Sequence, residues 1–348
     1  MQSAELPVVD ISPLLEGGDT LAVGAAIDAA CREWGFFTIV GHGIDRGLRD
    51  ALARESRAFF ALSLEEKLAI RMERAGRAWR GYFPLGAERT SGRPDRKEGL
   101  YFGSELGPDE PHVRAGIPLF GANLFPRQPH GLRATVLAYL EAMTCLGHAL
   151  MRGVAVGLGL APDYFAEREM REPLILFRVF RYPATREGEK EWGVGEHTDY
   201  GVLTILSEAG GAGLAVRTPR GWFDVPPLGD AFVCNVGDML ERMTGGRYRS
   251  TPHRVRNAGA GERLSFPFFF DPGFDAVVRA VAPFSGEDGT RQRWDGASVH
   301  AFVGTYGDYL LAKVARAFPE LGMQTGLRGS GHAGPPDEGR EALGLPKT

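Results

Sequence analysis

Apolar residues recur along this chain with two different periods, and the period changes near residue 174. Residues 20–34, 45–61 and 129–160 repeat apolar positions every three to four residues, which predicts amphipathic helices. After residue 174, short β-branched and aromatic runs separated by glycine turns predict strands at 174–182, 201–206, 213–217, 231–236, 253–257 and 263–270. Short strands at this spacing are typical of a sandwich or barrel, so we predict a mainly β fold with flanking helices.

The other segments complete a predicted organisation in four parts. Residues 6–11 and 36–40 read as short strands, and residues 74–126 read as irregular. Within them we interpret 79–102 as one wall of a substrate pocket and 108–126 as a lid, because long loops in compact domains are usually functional. The predicted parts are an N-terminal α/β region with substrate-side loops (1–125), a backing helix (126–165), the β core (166–295) and a C-terminal helix with a flexible tail (296–348).

Composition narrows the class of protein. The 348 residues carry 40 basic and 44 acidic side chains, a net charge of −4, so we expect neither nucleic acid nor a membrane surface as partner. Three cysteines favour a reducing cytoplasm over a disulfide framework. The long apolar stretch 136–160 is interrupted by charged residues and is expected to be a buried helix. We expect a cytoplasmic protein, most simply a monomer, acting on a small molecule.

Candidate metal ligands lie in the segment Glu-His-Thr-Asp-Tyr, residues 196–200. If this segment is a strand, His197 and Asp199 point to the same face, because side chains alternate with period two. His253, further along the chain, is the best candidate for a third ligand. Two imidazoles and one carboxylate on one face of a metal leave positions open, which is the facial arrangement of non-haem Fe(II) oxygenases.

A second pair with the same spacing is Arg263 and Ser265. A guanidinium inside a strand is costly unless it meets an anion, and a guanidinium beside a hydroxyl suits a small carboxylate. If both side chains face the cavity, Phe269 does so too, while Phe266, Phe268 and Phe270 face the packing layer.

These motifs together resemble the Fe(II)- and 2-oxoglutarate-dependent dioxygenases of the isopenicillin N synthase-like family. Segments 6–11, 31–37, 41–44, 182–183 and 235–238 resemble further family segments, so the likeness covers most of the chain. The resemblance implies a double-stranded β-helix (jelly roll) core. It also implies that O₂ and 2-oxoglutarate are consumed, that succinate and CO₂ are released, and that the substrate is hydroxylated, desaturated or cyclised.

The resemblance also assigns residues. His197, Asp199 and His253 would bind Fe(II), and Arg263 with Ser265 would hold the distal carboxylate of 2-oxoglutarate, with Tyr182 as a further contact. Phe180 stands where many plant members have asparagine, and Arg178, four residues before Tyr182, is a candidate to compensate.

Substrate recognition is less determined. Arg80, Tyr82, Glu88, Tyr200 and Phe269 are the candidate substrate residues, and part of this set is similar to ethylene-forming members of the superfamily. Arginines beside Glu88 would suit an amino-acid-like zwitterion. The alternatives are an oxidase of the same fold that uses no 2-oxoglutarate, an ethylene-forming activity, and a non-catalytic binding module.

Overall fold

Two β-sheets form the centre of the computed structural model, which describes residues 5–90, 92–184, 192–227, 229–256, 261–282, 284 and 298–318. The strands are β1 (Val8–Asp10), β2 (Phe36–Val40), β3 (Gly81–Phe83), β4 (Arg89–Thr90), β5 (Arg93–Pro94), β6 (Glu98–Gly103), β7 (Leu174–Tyr182), β8 (Val194–His197), β9 (Leu203–Ala209), β10 (Leu214–Thr218), β11 (Gly221–Asp224), β12 (Phe232–Val236), β13 (His253–Val255) and β14 (Arg263–Asp271). The larger sheet has the order β1-β2-β12-β9-β14-β7-β6-β3, and the smaller has β11-β10-β13-β8. Strands β7–β14 form the predicted double-stranded β-helix.

Strands from the N-terminal region extend both edges of the larger sheet. β2 pairs with β12 on one side, while β6 pairs with β7 and β3 pairs with β6 on the other. The prediction that residues 74–126 are irregular was therefore wrong for 81–103. All six residues of β6 are buried, so its sequence shows no alternation of apolar and polar residues. The predicted boundary at residue 125 separates strands that belong to one continuous sheet.

Helices cover the larger sheet. They are α1 (Ser12–Glu16), α2 (Thr20–Glu33), α3 (Arg46–Phe60), α4 (Leu64–Leu68), α5 (Pro111–Arg114), α6 (Leu132–Gly157), α7 (Asp238–Met243) and α8 (Tyr306–Ala317), with a 3-10 helix at Met72–Ala78. The chain turns out of α2 at Gly35, whose φ of 67° favours glycine, as its position after the helix predicts. Ser63 and Glu66 form the expected capping box.

The long helix α6 backs the β core as predicted. It packs against α2, α3 and β14, and the ring of Phe270 leaves no room for a side chain at Gly147. By length and composition α6 is apolar enough to cross a membrane, and half of its most apolar window is buried inside the protein.

The C-terminal helix is shorter than expected. α8 begins at Tyr306, where Thr305 and Asp308 form a capping box, instead of near residue 296. Residues 285–297 and the predicted flexible tail after residue 318 lie outside the described residues.

Candidate metal centre and active-site cavity

Three predicted ligands converge between β8 and β13. His197 and His253 are opposite each other in the antiparallel pair, with ring centroids 4.2 Å apart. Nε2 of His197 lies 3.8 Å, and Nε2 of His253 lies 3.7 Å, from Oδ1 of Asp199. β8 ends at His197, so Asp199 reaches the cluster from the following turn, and the strand alternation that we expected does not extend to it. The predicted convergence of the three residues is confirmed.

The other polar atoms of the two imidazoles already have partners. Nδ1 of His197 lies 2.8 Å from the Gly195 carbonyl, and Nδ1 of His253 lies 3.2 Å from the Thr251 carbonyl. Because a carbonyl only accepts, each Nδ1 carries a proton, and Nε2 is the nitrogen of each ring that is left to face a metal.

The carboxylate of Asp199 is oriented in the same manner. Its Oδ2 accepts hydrogen bonds from Thr204 at 2.6 Å and Asn235 at 2.7 Å, which leaves Oδ1 for a metal. The free donor atoms are therefore two imidazole nitrogens and one carboxylate oxygen within 4.8 Å of one another. This donor set suits Fe(II).

The charge states also suit metal binding. Burial raises the pKa of Asp199, but the two histidines and the hydrogen bonds from Asn235 and Thr204 outweigh it, so this pKa lies below its usual range. Burial and the neighbouring His197 lower the pKa of His253 to about 4. At neutral pH the site holds an ionised carboxylate opposite a neutral His253, the forms that bind a metal without first losing a proton.

Arg263 forms the deep end of the same cavity. Its side chain is fully buried, and Nη2 and Nε donate to Glu208 at 2.5 and 3.2 Å. Nη1 has no hydrogen-bond partner among the described residues. Ser265 and Tyr182 lie beside it, with their hydroxyls 3.5 Å apart. Because a buried cationic N–H without a partner is costly, this corner fits a carboxylate of 2-oxoglutarate.

Arg178 lines the wall between these two groups and the cavity entrance. Its guanidinium carbon lies 3.5 Å from the centre of the Tyr101 ring, and Nη1 donates to the carbonyls of Phe102 and Phe177. Although it is buried, it forms no ion pair with any described residue. Glu88 lies nearby, where Tyr101 donates to it at 2.5 Å and Lys97 forms an ion pair with it at 2.8 Å.

The structure contradicts two of the predicted substrate residues. Arg80 and Tyr82 do not line this cavity, whereas Glu88, Tyr200 and Phe269 do. Tyr82 donates to Glu98 at 2.6 Å at the edge of the sheet, where Lys67 and Arg181 also meet that carboxylate. The predicted lid, residues 108–126, contributes no residue to the cavity wall either.

Helix α8 covers the cavity instead, a role that sequence reasoning missed. Tyr306, Leu310 and Val314, spaced by one helical turn, face the interior, and this four-residue repeat was the available signal. Tyr306 donates to the buried Asp271 at 2.6 Å, and Tyr309 donates to Asp238 at 2.7 Å.

Lys97 is a second lining residue that the sequence did not indicate. Its side chain is buried between Glu88 and Asp95, with which it forms ion pairs of 2.8 and 2.5 Å. The lysine therefore contributes to the cavity wall as the shared cationic partner of two carboxylates.

Replacing Tyr306 by phenylalanine tests how α8 is held. Asp271 would keep only the Val202 amide as a described partner, so we expect the free energy of unfolding to fall by about 1–3 kcal/mol. Denaturant unfolding measures this change. Tyr164→Phe, at a partly exposed position far from α8 in sequence, is the control. Equal stability of the two variants would contradict the role of the Tyr306 contact.

Comparisons with known proteins agree with this geometry. Residues 6–128 match the family described as non-haem dioxygenase in morphine synthesis N-terminal, and residues 173–272 match the 2OG-Fe(II) oxygenase superfamily. A probable iron/ascorbate oxidoreductase of Dictyostelium discoideum is 45% identical, with 91% of this chain and 96% of that protein covered. A homoarginine-6-hydroxylase of Oryza sativa subsp. japonica is 34% identical, with 90% and 97% covered.

A solved structure extends the comparison to three dimensions. A full-length protein of Neurospora crassa, solved in complex with alpha-KG, superposes with a TM-score of 0.74 at 26% identity, covering 90% of this chain and 98% of that one. The jelly-roll core, the His-Asp-His cluster and the sequence matches lead to one assignment. The chain is an Fe(II)- and 2-oxoglutarate-dependent oxygenase of the isopenicillin N synthase-like family.

Proposed function

We propose that this oxygenase hydroxylates a small amino-acid-like substrate whose carboxylate is bound by Arg178. The observation that carries the proposal is a buried guanidinium that lines the cavity without an ion-pair partner among the described residues. Lys97 is already paired with both Glu88 and Asp95, whereas Arg178 is a buried lining cation that no described carboxylate pairs with. The cation–π contact with Tyr101 holds the guanidinium in place.

The chain's own residues would divide the work as follows. His197, Asp199 and His253 hold the Fe(II), which together with 2-oxoglutarate and O₂ supplies the oxidising chemistry. Arg263, Ser265 and Tyr182 orient 2-oxoglutarate by its distal carboxylate. Apolar side chains of both sheets and of α8 surround the remaining space, exclude water and position the substrate. They include Leu176, Leu206, Pro267, Phe269, Leu310 and Val314.

The relatives support the substrate class. One curated relative is named for homoarginine and for hydroxylation, and an amino acid carries the carboxylate that Arg178 would bind. The amino-acid-like zwitterion that the sequence suggested would still bind through its carboxylate, here to Arg178. Arg80 has no part in it, since it lies outside the cavity.

The same atoms also bear on the alternative functions, namely an oxidase, a non-catalytic binding module and an ethylene-forming enzyme. In an oxidase that uses no 2-oxoglutarate, the unpartnered Nη1 of Arg263 would bind a carboxylate of the substrate instead. A non-catalytic module would have no need for three free donor atoms whose neighbouring atoms are hydrogen-bonded. Succinate release, followed with labelled 2-oxoglutarate, separates the oxygenase from the oxidase. Ethylene in the headspace would identify the ethylene-forming reaction.

We expect some L-amino acids to stimulate succinate formation, and Arg178→Met to raise the KM for the best of them by about 10- to 150-fold. That range corresponds to a charged hydrogen bond of roughly 1.5–3 kcal/mol. The KM for 2-oxoglutarate should change by less than about threefold. Steady-state kinetics with each substrate varied in turn measures both values.

Arg217→Met is the control, because this arginine is half-exposed on β10 and pairs with Glu196 outside the cavity. If Arg178→Met instead raised the KM for 2-oxoglutarate alone, Arg178 would be a cosubstrate residue, as predicted from the sequence. If no carboxylate-bearing compound stimulated turnover, the substrate class would be wrong.

A further inference from the structure

Arg80 occupies a position that its own surroundings do not explain. It lies between the 3-10 helix and β3, and only 1% of its surface is exposed. Its one hydrogen bond to a described residue runs from Nη2 to the carbonyl of Leu119 at 2.7 Å. Nε is buried without a partner among those residues, and no described carboxylate forms an ion pair with the guanidinium. Burial, with the charge of Arg178, lowers the pKa of Arg80 to about 9.

The surrounding chain leaves space for this guanidinium. Gly103, at the end of β6, has no side chain, and a Cβ there would lie 1.9 Å from Nη1 of Arg80. The position of Gly103 is fixed by Asn123, whose side chain forms hydrogen bonds with both its amide and its carbonyl. The arginine is therefore enclosed by an ordered part of the structure.

A cleft of about 590 Å³ opens beside Arg80, and none of its lining residues also lines the metal cavity. Its walls come from the segments 104–120, 168–175 and 273–276. Phe120 stacks on His112 with ring centroids 4.4 Å apart and meets Phe274 edge-on at 5.3 Å. Phe120 and Phe274 give the cleft an apolar part of its wall.

A second polar atom in the same cleft lacks a partner. Oε2 of Glu169 is buried, and no described residue donates a hydrogen bond to it. A guanidinium without an ion pair and a carboxylate oxygen without a donor, both among the described residues of one cleft, favour a ligand that has both an anionic group and a hydrogen-bond donor. A simple inorganic anion would satisfy Arg80 and leave Glu169 unmatched.

We propose that this cleft is a second ligand site, distinct from the metal centre, in which Arg80 binds the carboxylate of a small molecule whose ammonium or other donor meets Glu169. The site does not depend on the identity of the oxidised substrate. A guanidinium fork fits a carboxylate through two hydrogen bonds, and the aromatic wall suits the carbon atoms of a small amino acid.

Ligand-observed NMR with glycine, acetate and inorganic phosphate as probes tests this site. The full chain is first saturated with Zn²⁺ and 2-oxoglutarate, which occupy the metal centre and the corner at Arg263. We expect glycine to bind more tightly than acetate, and Arg80→Met to weaken glycine binding at least tenfold. All proteins in this test carry Arg178→Met, which removes the carboxylate site proposed in the metal cavity. Arg217→Met, outside both cavities, should change glycine binding by less than threefold.

A second variant tests the site independently in case Arg80→Met misfolds. Ser104→Phe places a ring in the cleft and leaves Arg80 unchanged, so it should weaken glycine binding to a similar degree while 2-oxoglutarate still binds. Absence of glycine binding to the Arg178→Met protein would overturn the proposal. So would phosphate binding without carboxylate binding, or glycine binding that Arg80→Met leaves unchanged.

Discussion

Asp199→Ala is expected to reduce turnover by at least about a thousandfold and to weaken Fe(II) binding. The variant removes the only carboxylate among the three converging side chains and leaves two imidazoles. Charge stabilisation by a bound metal is worth several kcal/mol, and each 1.36 kcal/mol changes a rate about tenfold. Anaerobic titration with Fe(II), read from the charge-transfer band that appears with 2-oxoglutarate, measures binding separately from turnover.

A matched variant tests whether the loss of activity is a general effect of removing a negative charge or of misfolding. Asp50→Ala also removes one carboxylate, but from the exposed face of α3, where it lies near Arg46, and it should retain full activity. Asp199→Ala leaves Thr204 and Asn235 without their acceptor, so its unfolding must be measured as well. Substantial activity of a folded Asp199→Ala protein at ordinary Fe(II) concentrations would refute the metal site.

The predicted residues that the structure brings together in the cavity have their signal within a few positions of the sequence. His197 with Asp199, and Arg263 with Ser265, stand two positions apart. In β14 the strand period places Arg263 and Ser265 on one face, whereas Asp199 reaches His197 from the segment after β8. In β14 the same alternation assigned Phe269 to the cavity and Phe270 to the helix layer, as the structure has them. The distance between these two sites depends on which distant strands hydrogen-bond to each other. The sequence indicated that arrangement only through the family resemblance.

Strand alternation fails as a guide at Arg80. This residue lies two positions before Tyr82, and alternation would place both side chains on the same face. The backbone prevents this, because Trp79 has φ of 52° and Gly81 has φ of 111°, so the chain turns between them. Tyr82 then enters β3 at the edge of the sheet, while Arg80 points to the second cleft. A positive φ at tryptophan has no signature in the sequence.

The sequence did not predict that α8 covers the cavity, and the reason is different. A loop rich in glycine and proline, residues 108–126, is a reasonable lid on composition, whereas α8 reads as an ordinary amphipathic helix. What assigns α8 to the cavity is the pairing of its tyrosines with Asp271 and Asp238, which are 35 and 71 residues distant in the chain. Contacts between a buried tyrosine and a carboxylate this far apart in the sequence can be found only from the tertiary structure.

Arg263→Met is expected to raise the KM for 2-oxoglutarate by about 10- to 150-fold, with a smaller effect on the KM for the oxidised substrate. The unpartnered Nη1 is the donor that the distal carboxylate would take up, and losing a charged hydrogen bond costs roughly 1.5–3 kcal/mol. Initial rates of succinate formation at varied 2-oxoglutarate concentration measure the change. Arg263→Lys should lie between the two proteins, because it keeps the charge and loses the fork.

Glu208 complicates this test in a way that can be controlled. It accepts from Nη2 and Nε of Arg263, so Arg263→Met leaves a buried carboxylate unpaired and should lower the free energy of unfolding. Ser265→Ala changes the same cosubstrate corner without disturbing Glu208, and we expect a severalfold rise in the KM for 2-oxoglutarate there with little change in stability. Unchanged KM values in both variants would mean that 2-oxoglutarate binds elsewhere. If the KM for 2-oxoglutarate rose only in Arg263→Met, in proportion to the lost stability, the role of Arg263 would be limited to its ion pair with Glu208.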